Sequence, residues 1–146
     1  MADTIAAELD ELAEDFDLLE SWEEQLGYVI DLGRALPRLD EHERVDANKV
    51  RGCASQVWVV SRRRPDGRVE FRGESDAQIP QGLIAILLRL YSGRRPEEIG
   101  ALDPQTAVDR LGLGGMLTSQ RANGLAAMAQ RIRGEAAPAG AGAEIS

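Results

Sequence analysis

The chain has 146 residues, 43% of them hydrophobic, which suffices for one domain with a packed core. Its 25 acidic against 17 basic residues give a net charge of −8, which argues against nucleic acid as a partner. No stretch is apolar over the length of a membrane span and the N-terminus lacks a basic signal region, so we expect a cytoplasmic protein without membrane contact. We expect one domain over residues 1–135 and a disordered Ala- and Gly-rich tail at 136–146.

Two acidic helices are predicted at the N-terminal end. Apolar residues recur at helical spacing from Ile5 to Leu19. Ser21 with Glu24 is a capping-box pattern that begins a second helix, with Trp22 on its apolar face, and Pro37 ends it. This region holds eleven carboxylates and no Lys or Arg over its first 31 residues. The charge fits either a solvated helix face or contact with a basic protein surface.

A β-hairpin and a core helix are predicted in the middle of the chain. A polar loop at 40–48 precedes strands at 56–63 and 68–73, which the turn at 65–67 joins. A helix capped by Ser75 or Asp76 then runs to Tyr91. Its body is apolar on all sides, which predicts a central position in the core.

The C-terminal part is predicted to be helical. Short helices begin at Pro96 and at Asp103, and Thr118 or Ser119 caps a last helix. Arg121 lies in the first turn of that helix, where a cation opposes the helix dipole. Two interpretations remain open: it binds an anion or steadies a thiolate, or it pairs with a carboxylate. The fold class is α+β, a small antiparallel hairpin sheet packed by several helices.

Cys53 is the only cysteine, so it forms no disulfide within the chain and supplies no two-thiolate metal site. It lies in a loop that leads into the strand beginning at Gln56, and Gly52 beside it permits unusual backbone angles and leaves room for a partner. Arg51 could lower the pKa of the thiol. The residues alone leave two interpretations, a reactive thiol or a small buried hydrophobe.

Four segments together resemble the SufE family, the sulfur-acceptor proteins that work with cysteine desulfurases in iron-sulfur cluster assembly. The resemblance extends over about residues 10–134. The segments are Trp22-Glu23-Glu24 with Tyr28 to Pro37, Val50-x-Gly52-Cys53-x-Ser55-Gln56-Val57-Trp58, Ser75-Asp76-Ala77 with Gly82 to Ala85, and Leu117-Thr118-x-x-Arg121-x-Asn123-Gly124-Leu125-x-x-Met128.

The resemblance implies a fold similar to iron-sulfur scaffold proteins and a role as sulfur carrier. Cys53 would take persulfide sulfur from a cysteine desulfurase, stimulate the turnover of that enzyme and pass the sulfur on to an iron-sulfur scaffold. Pyridoxal phosphate would belong to the desulfurase, and we expect no cofactor on this chain. We therefore expect a sulfurtransferase-type accessory protein rather than an independent enzyme.

Supporting residues follow from the same resemblance. Gly52, Gln56, Asp76 and Arg121 fall on positions associated with the cysteine loop or with desulfurase contact. Asp76 could instead cap its helix, and Gln56 could only form hydrogen bonds within the loop.

The sequence also shows two departures from the family pattern and leaves two alternative functions open. Ala54 replaces a common glutamine and Pro80 an ordinary helix former, which bears on partner preference more than on the nucleophile. One alternative is a hydrolase or transferase in which His42 activates Cys53. The other is a binding module with an inert cysteine. One cysteine and one histidine are too few for an iron-sulfur cluster or a structural zinc ion.

Overall fold

The structure, a computed structural model, describes residues 4–137. These residues form six α-helices, three 3-10 turns and one two-stranded antiparallel sheet, which confirms the α+β class. In chain order the helices and strands are α1 (Ile5–Asp17), α2 (Trp22–Ala35), β1 (Val57–Arg63), β2 (Val69–Ser75), α3 (Gln78–Tyr91), α4 (Pro96–Ala101), α5 (Pro104–Leu111) and α6 (Ser119–Glu135). The 3-10 turns cover Glu41–Glu43, Asp46–Asn48 and Leu113–Met116.

Helix α3 occupies the centre of the core, as its apolar sequence predicts. It packs against α2, β2, α6 and α1, and Leu83, Leu90 and Tyr91 are almost completely buried. Helix α2 approaches α3 closely at two glycines: a Cβ on Gly33 would lie 2.7 Å from the Gly82 nitrogen, and a Cβ on Gly82 would clash with Val29. The helices pack at this distance because neither position carries a side chain.

The sheet consists of the predicted hairpin and has both outer edges partly covered. Val57 pairs with Ser75 at one end of the ladder and Arg63 with Val69 at the other. Outside β1, the Val50 N–H donates to the Val57 carbonyl at 2.8 Å. Outside β2, the Val69 N–H donates to the carbonyl of Arg94 at 2.9 Å. Short segments before β1 and after α3 therefore continue the hydrogen bonding of the hairpin.

Helix α1 is fixed to the core by both apolar and ionic contacts. Leu12 and Phe16 are buried on its inner face. Glu8 is 3% exposed, and its carboxylate accepts a hydrogen bond from Arg89 Nε at 2.7 Å and lies 3.9 Å from Arg94. A carboxylate buried to this degree is stable only beside such cations.

Several local predictions need correction. Trp22 is 60% exposed and does not belong to the core, because it stands at the first position of α2, beyond the part of the helix that α3 covers. The residue before α3 is Ala77, which makes no side-chain cap, so neither Ser75 nor Asp76 caps this helix. The stretch 40–48 contains two 3-10 turns rather than a plain loop.

The end of the chain differs in part from the predicted tail. Ala136 is 2% exposed and follows α6 directly, so it packs with the core although the sequence placed it in the tail. Residues 138–146, the remainder of that predicted tail, lie outside the described residues. Within residues 4–137, no helix has both the length and the apolar character required to cross a membrane.

Candidate functional site

Cys53 lies on a short loop that is closed at its base. The loop covers residues 51–56, between the hydrogen bond from Val50 N–H to the Val57 carbonyl and the start of β1. Lys49 and Trp58 form an isolated antiparallel bridge just outside that bond. The loop is thus the tip of a small hairpin, and a rigid base of this kind is a common way to present a reactive residue.

Gly52 sets the direction of the loop next to the cysteine. Its φ is +92°, a backbone angle that side-chain-bearing residues rarely adopt, which confirms the conformational role predicted for this glycine. A Cβ on Gly52 would also lie 3.5 Å from the side chain of Ala127 in α6. The turn at Gly52 therefore brings the loop against α6.

The Cys53 thiol is half-buried and touches the backbone of α6. Its Sγ donates a weak hydrogen bond to the carbonyl of Gly124 at 3.6 Å. A Cβ on Gly124 would lie 3.6 Å from the sulfur, an ordinary van der Waals distance, so the thiol packs directly against this part of α6. Burial raises the pKa of the Cys53 thiol above its ordinary value. The neutral thiol is the form that this environment favours.

The thiol faces a depression of about 490 Å³ between the loop, the start of α3 and α6. Its floor is apolar and includes Val57, Leu83 and Met128, which are all buried. Gln78, Thr118, Gln120 and Arg121 form its polar side, and the remaining lining residues are Ala54, Ser55, Ala77, Ile79, Pro80 and Gly124. An added sulfur atom on Cys53 would find room and an apolar surface here.

Asp76 and Gln56 form a clamp that holds the end of the loop. Asp76 Oδ1 accepts a hydrogen bond from the Gln56 N–H at 3.0 Å, and Oδ2 accepts one from Gln56 Nε2 at 3.4 Å. The Asp76 N–H in turn donates to the Gln56 carbonyl at 3.2 Å. Asp76 therefore acts on the cysteine loop rather than on the helix that follows it. Gln56 bonds outside its own loop, and Lys49 Nζ also donates to its side chain at 3.4 Å.

Arg121 lies beside the depression but does not form the ion pair considered from the sequence. Its guanidinium donates to the carbonyl of Met116 at 3.0 Å, and its backbone N–H is capped by Thr118. Within residues 4–137 it forms no salt bridge with a carboxylate. The positive charge of Arg121 therefore stays available at the rim of the depression.

Two other predicted residues do not meet the thiol. Arg51 is exposed and lines a neighbouring depression with Ala127 and Gln130, and burial is the cause that shifts the pKa of Cys53. His42 is exposed in the first 3-10 turn and does not line the Cys53 depression. The described residues contain no group of three or more His, Cys, Asp or Glu that could hold a metal ion.

Sequence reasoning did not identify the residues that form the floor and wall of the site. Gly124 and Met128 are distant from Cys53 in the sequence. The pattern indicated that Met128 belongs to the apolar stripe of the last helix and that Gly124 allows close packing, but not that either residue meets the cysteine. Their spacing of four residues on a helix places them on one face, but only the packing of α6 brings that face to the loop.

The described residues thus combine an α+β fold with the chain's single thiol on a clamped loop over an apolar depression. Residues 10–136 match the SufE family, described as an Fe-S metabolism associated domain. The chain belongs to the SufE family, as its sequence motifs predicted, and this membership gives it a role in iron-sulfur metabolism.

Similar proteins agree with this assignment. The chain is 49% identical to an uncharacterized SufE-like protein of Rhizobium etli, over 89% of this chain and 90% of that protein. It is 47% identical to an uncharacterized SufE-like protein of Rhizobium meliloti, over 88% and 94%. The solution structure of a hypothetical protein from Thermus thermophilus shares the fold, with a TM-score of 0.72 and 20% identity over 88% of this chain and 93% of that one.

Proposed function

We propose that Cys53 accepts sulfur from the persulfide of a cysteine desulfurase and carries it as a Cys53 persulfide toward an iron-sulfur scaffold. The observation that carries the proposal is the placement of the chain's only thiol at an apolar depression with room for one more sulfur. Membership of the SufE family supports a desulfurase as the donor.

The transfer step is a thiol exchange without net oxidation. The Cys53 sulfur attacks the outer sulfur of the desulfurase persulfide, a new S–S bond forms, and the bond to the desulfurase cysteine breaks. The desulfurase cysteine leaves as a thiolate, and the proton lost by the Cys53 thiol neutralises it. The donor is then free for another cycle, so acceptance of sulfur speeds its turnover. Pyridoxal phosphate acts in the donor, which generates the persulfide.

The resting geometry keeps Cys53 in its less reactive form. Burial and the Gly124 carbonyl both favour the neutral thiol, while the thiolate is the nucleophile. Docking of the desulfurase must therefore move the sulfur away from this carbonyl or supply a base. We expect Arg121, which lines the same depression, to steady negative charge that develops on the sulfur.

Intact-mass spectrometry under non-reducing conditions tests the proposal. We expect one added sulfur on the wild-type chain after incubation with a desulfurase and cysteine, and none on Cys53→Ser. A thiol reductant should remove the added mass, which separates a persulfide from a sulfinic acid. Circular dichroism should show that Cys53→Ser is folded, because the residue is only half-buried. An unmodified wild-type chain beside an active, bound desulfurase would refute the carrier function.

A further inference from the structure

Exposed hydrophobic side chains are concentrated where α1 meets α2. Leu18 and Trp22 are 80% and 60% exposed, and they are two of the three large hydrophobic residues exposed within residues 4–137. Exposed carboxylates stand beside them in the sequence. The junction patch, as we name it, comprises Leu18, Trp22, Glu14, Asp17, Glu20 and Glu23.

The position of Trp22 on α2 explains its exposure. Trp22 and Val29 are two helical turns apart and therefore lie on the same face. Val29 is fully buried against α3, whereas Trp22 stands at the start of the helix, beyond that cover. Tryptophan is among the residues that most often anchor protein interfaces, because its large ring buries much area at low entropic cost.

The charge of the patch restricts what can cover it. Glu14, Asp17, Glu20 and Glu23 form no ion pair within residues 4–137, and the first 31 residues supply no Lys or Arg. A second copy of this chain placed symmetrically on the patch would bring like charges together. Nucleic acid and anionic membranes are repelled in the same way. The complementary surface is a protein recess that is apolar at its centre and bordered by Lys and Arg.

Helix α2 connects the patch to the surroundings of the cysteine site. Helix α2 has 14 residues and therefore extends for about 20 Å. At its far end, Gly33 and Leu36 line a groove with Asp76 and Gln78, and Gln78 also lines the Cys53 depression. A stable interface buries roughly 800 Å² on each partner, a patch roughly 30 Å across, which is more than the loop at 51–56 offers.

We propose that the junction patch is a second docking surface for the cysteine desulfurase that donates sulfur to Cys53. Trp22 enters an apolar recess of the desulfurase, and the surrounding carboxylates face its basic residues. This inference rests on the proposed function, since it concerns the same partner. It assigns affinity to the N-terminal end of α2, at Trp22, and leaves the exchange chemistry to the cysteine loop.

Transfer kinetics test the proposal with two independent variants. Trp22→Ala and the double variant Glu20→Lys/Glu23→Lys should each raise the KM for this chain in desulfurase-dependent persulfide formation about tenfold or more, with kcat unchanged. Val45→Ala and Glu97→Lys are matched controls at exposed positions elsewhere and should leave KM unchanged. A small-molecule persulfide should modify Cys53 in all variants at the wild-type rate, since it needs no docking.

The outcomes separate this inference from the function on which it rests. Wild-type KM values for both patch variants, with normal transfer to Cys53, would overturn the patch and leave the carrier function standing. If the wild-type chain receives no sulfur, the carrier function fails. In that case, tighter binding of the desulfurase to the wild-type chain than to Trp22→Ala would still support the patch as a docking surface. If the small-molecule persulfide modified Cys53 more slowly in the patch variants, the substitutions would disturb the cysteine loop. That result would overturn the proposal that the patch serves only for docking.

Discussion

The Cys53 thiol has a backbone carbonyl as its hydrogen-bond partner, and this contact favours the less reactive thiol over the thiolate. A thiol can donate to the Gly124 oxygen, whereas a thiolate would be repelled by it. Desolvation acts in the same direction and raises the pKa of Cys53. Reactive redox cysteines usually have the opposite environment, with cations or helix N-termini that lower the thiol pKa. The environment at rest therefore limits the reaction of this thiol with indiscriminate electrophiles.

Alkylation should reveal this protection as a pH profile. Because the pKa of the native thiol is raised, a smaller thiolate fraction is present near neutral pH, and the rate with iodoacetamide should keep rising at pH values where an ordinary cysteine has levelled off. The rate is measured by intact mass at a series of pH values.

The chain unfolded in urea is the internal control for this measurement, since its Cys53 should show an ordinary profile and faster alkylation at neutral pH. Arg51→Ala should leave the native profile unchanged, because Arg51 lines a different depression. If the alkylation rate of the native chain levelled off at a lower pH than that of the unfolded chain, the pKa of Cys53 would be lowered by folding, which would contradict the burial of the thiol.

At the level of elements, the cysteine loop depends on a contact between the two ends of the hairpin. Asp76 follows β2 and Gln56 precedes β1, so the antiparallel pairing brings them together at the same end of the sheet. Both oxygens of Asp76 are engaged by Gln56. The clamp therefore limits how far the loop can move from α6.

Removal of the clamp should loosen the loop. In Asp76→Ala, the Gln56 N–H loses its carboxylate acceptor, a charge-assisted bond of about 1.5–3 kcal/mol at most, and less at this exposed position. We expect several-fold faster alkylation of Cys53 by iodoacetamide with little change in the urea midpoint. Asp31→Ala, which removes an exposed carboxylate on α2, is the control and should react like wild type. An unchanged rate in Asp76→Ala would show that the loop is held by its other contacts.

The sequence predicted those elements whose signal is local. The uniform apolar run of α3, the Asp66-Gly67 turn and the freedom needed at Gly52 each depend on neighbouring residues, and all three predictions are confirmed. Helical spacing also placed Trp22 on the apolar face of α2, yet Trp22 is 60% exposed, because periodicity shows the face of a helix but not how far the neighbouring helix extends along it.

The site required information that periodicity does not contain. The Asp76 clamp and the wall at Gly124 join residues 20 and 71 positions apart. The cap expected from Ser75 or Asp76 failed for a related reason, because the Ser75 hydroxyl donates to the Gln56 carbonyl and Asp76 accepts from the Gln56 N–H. Toward α3, the Ser75 oxygen accepts only from the N–H of Ala77, the residue before the helix. Long-range pairing thus overrode a local preference.

For the whole molecule, the acidic N-terminal helix is attached to the core through Glu8. Its carboxylate meets Arg89, which comes from the far end of α3, so one side chain joins the first helix to the central one. Removing the buried carboxylate leaves the Arg89 guanidinium, which is 34% exposed, with only the more distant carboxylate of Glu11 among the described residues.

Glu8→Ala should therefore be strongly destabilising. We expect a loss of about 3 kcal/mol in the free energy of unfolding, measured by urea denaturation. Glu11→Ala removes a carboxylate that is 55% exposed and 3.9 Å from the same Arg89, and it should cost less than about 1 kcal/mol. Equal losses in the two variants would show that burial of Glu8 adds nothing to the attachment of α1.

The covered edges of the two-stranded sheet determine how another chain can join this protein. The ladder partners of Val57 and Val69 are already occupied by the segments at Val50 and Arg94. A foreign strand cannot add to the sheet at these positions, which are the ordinary sites of β-augmentation. A protein that reaches Cys53 beside Val57 must therefore recognise side chains and surface shape there, so its specificity can evolve without disturbing the backbone that holds the thiol.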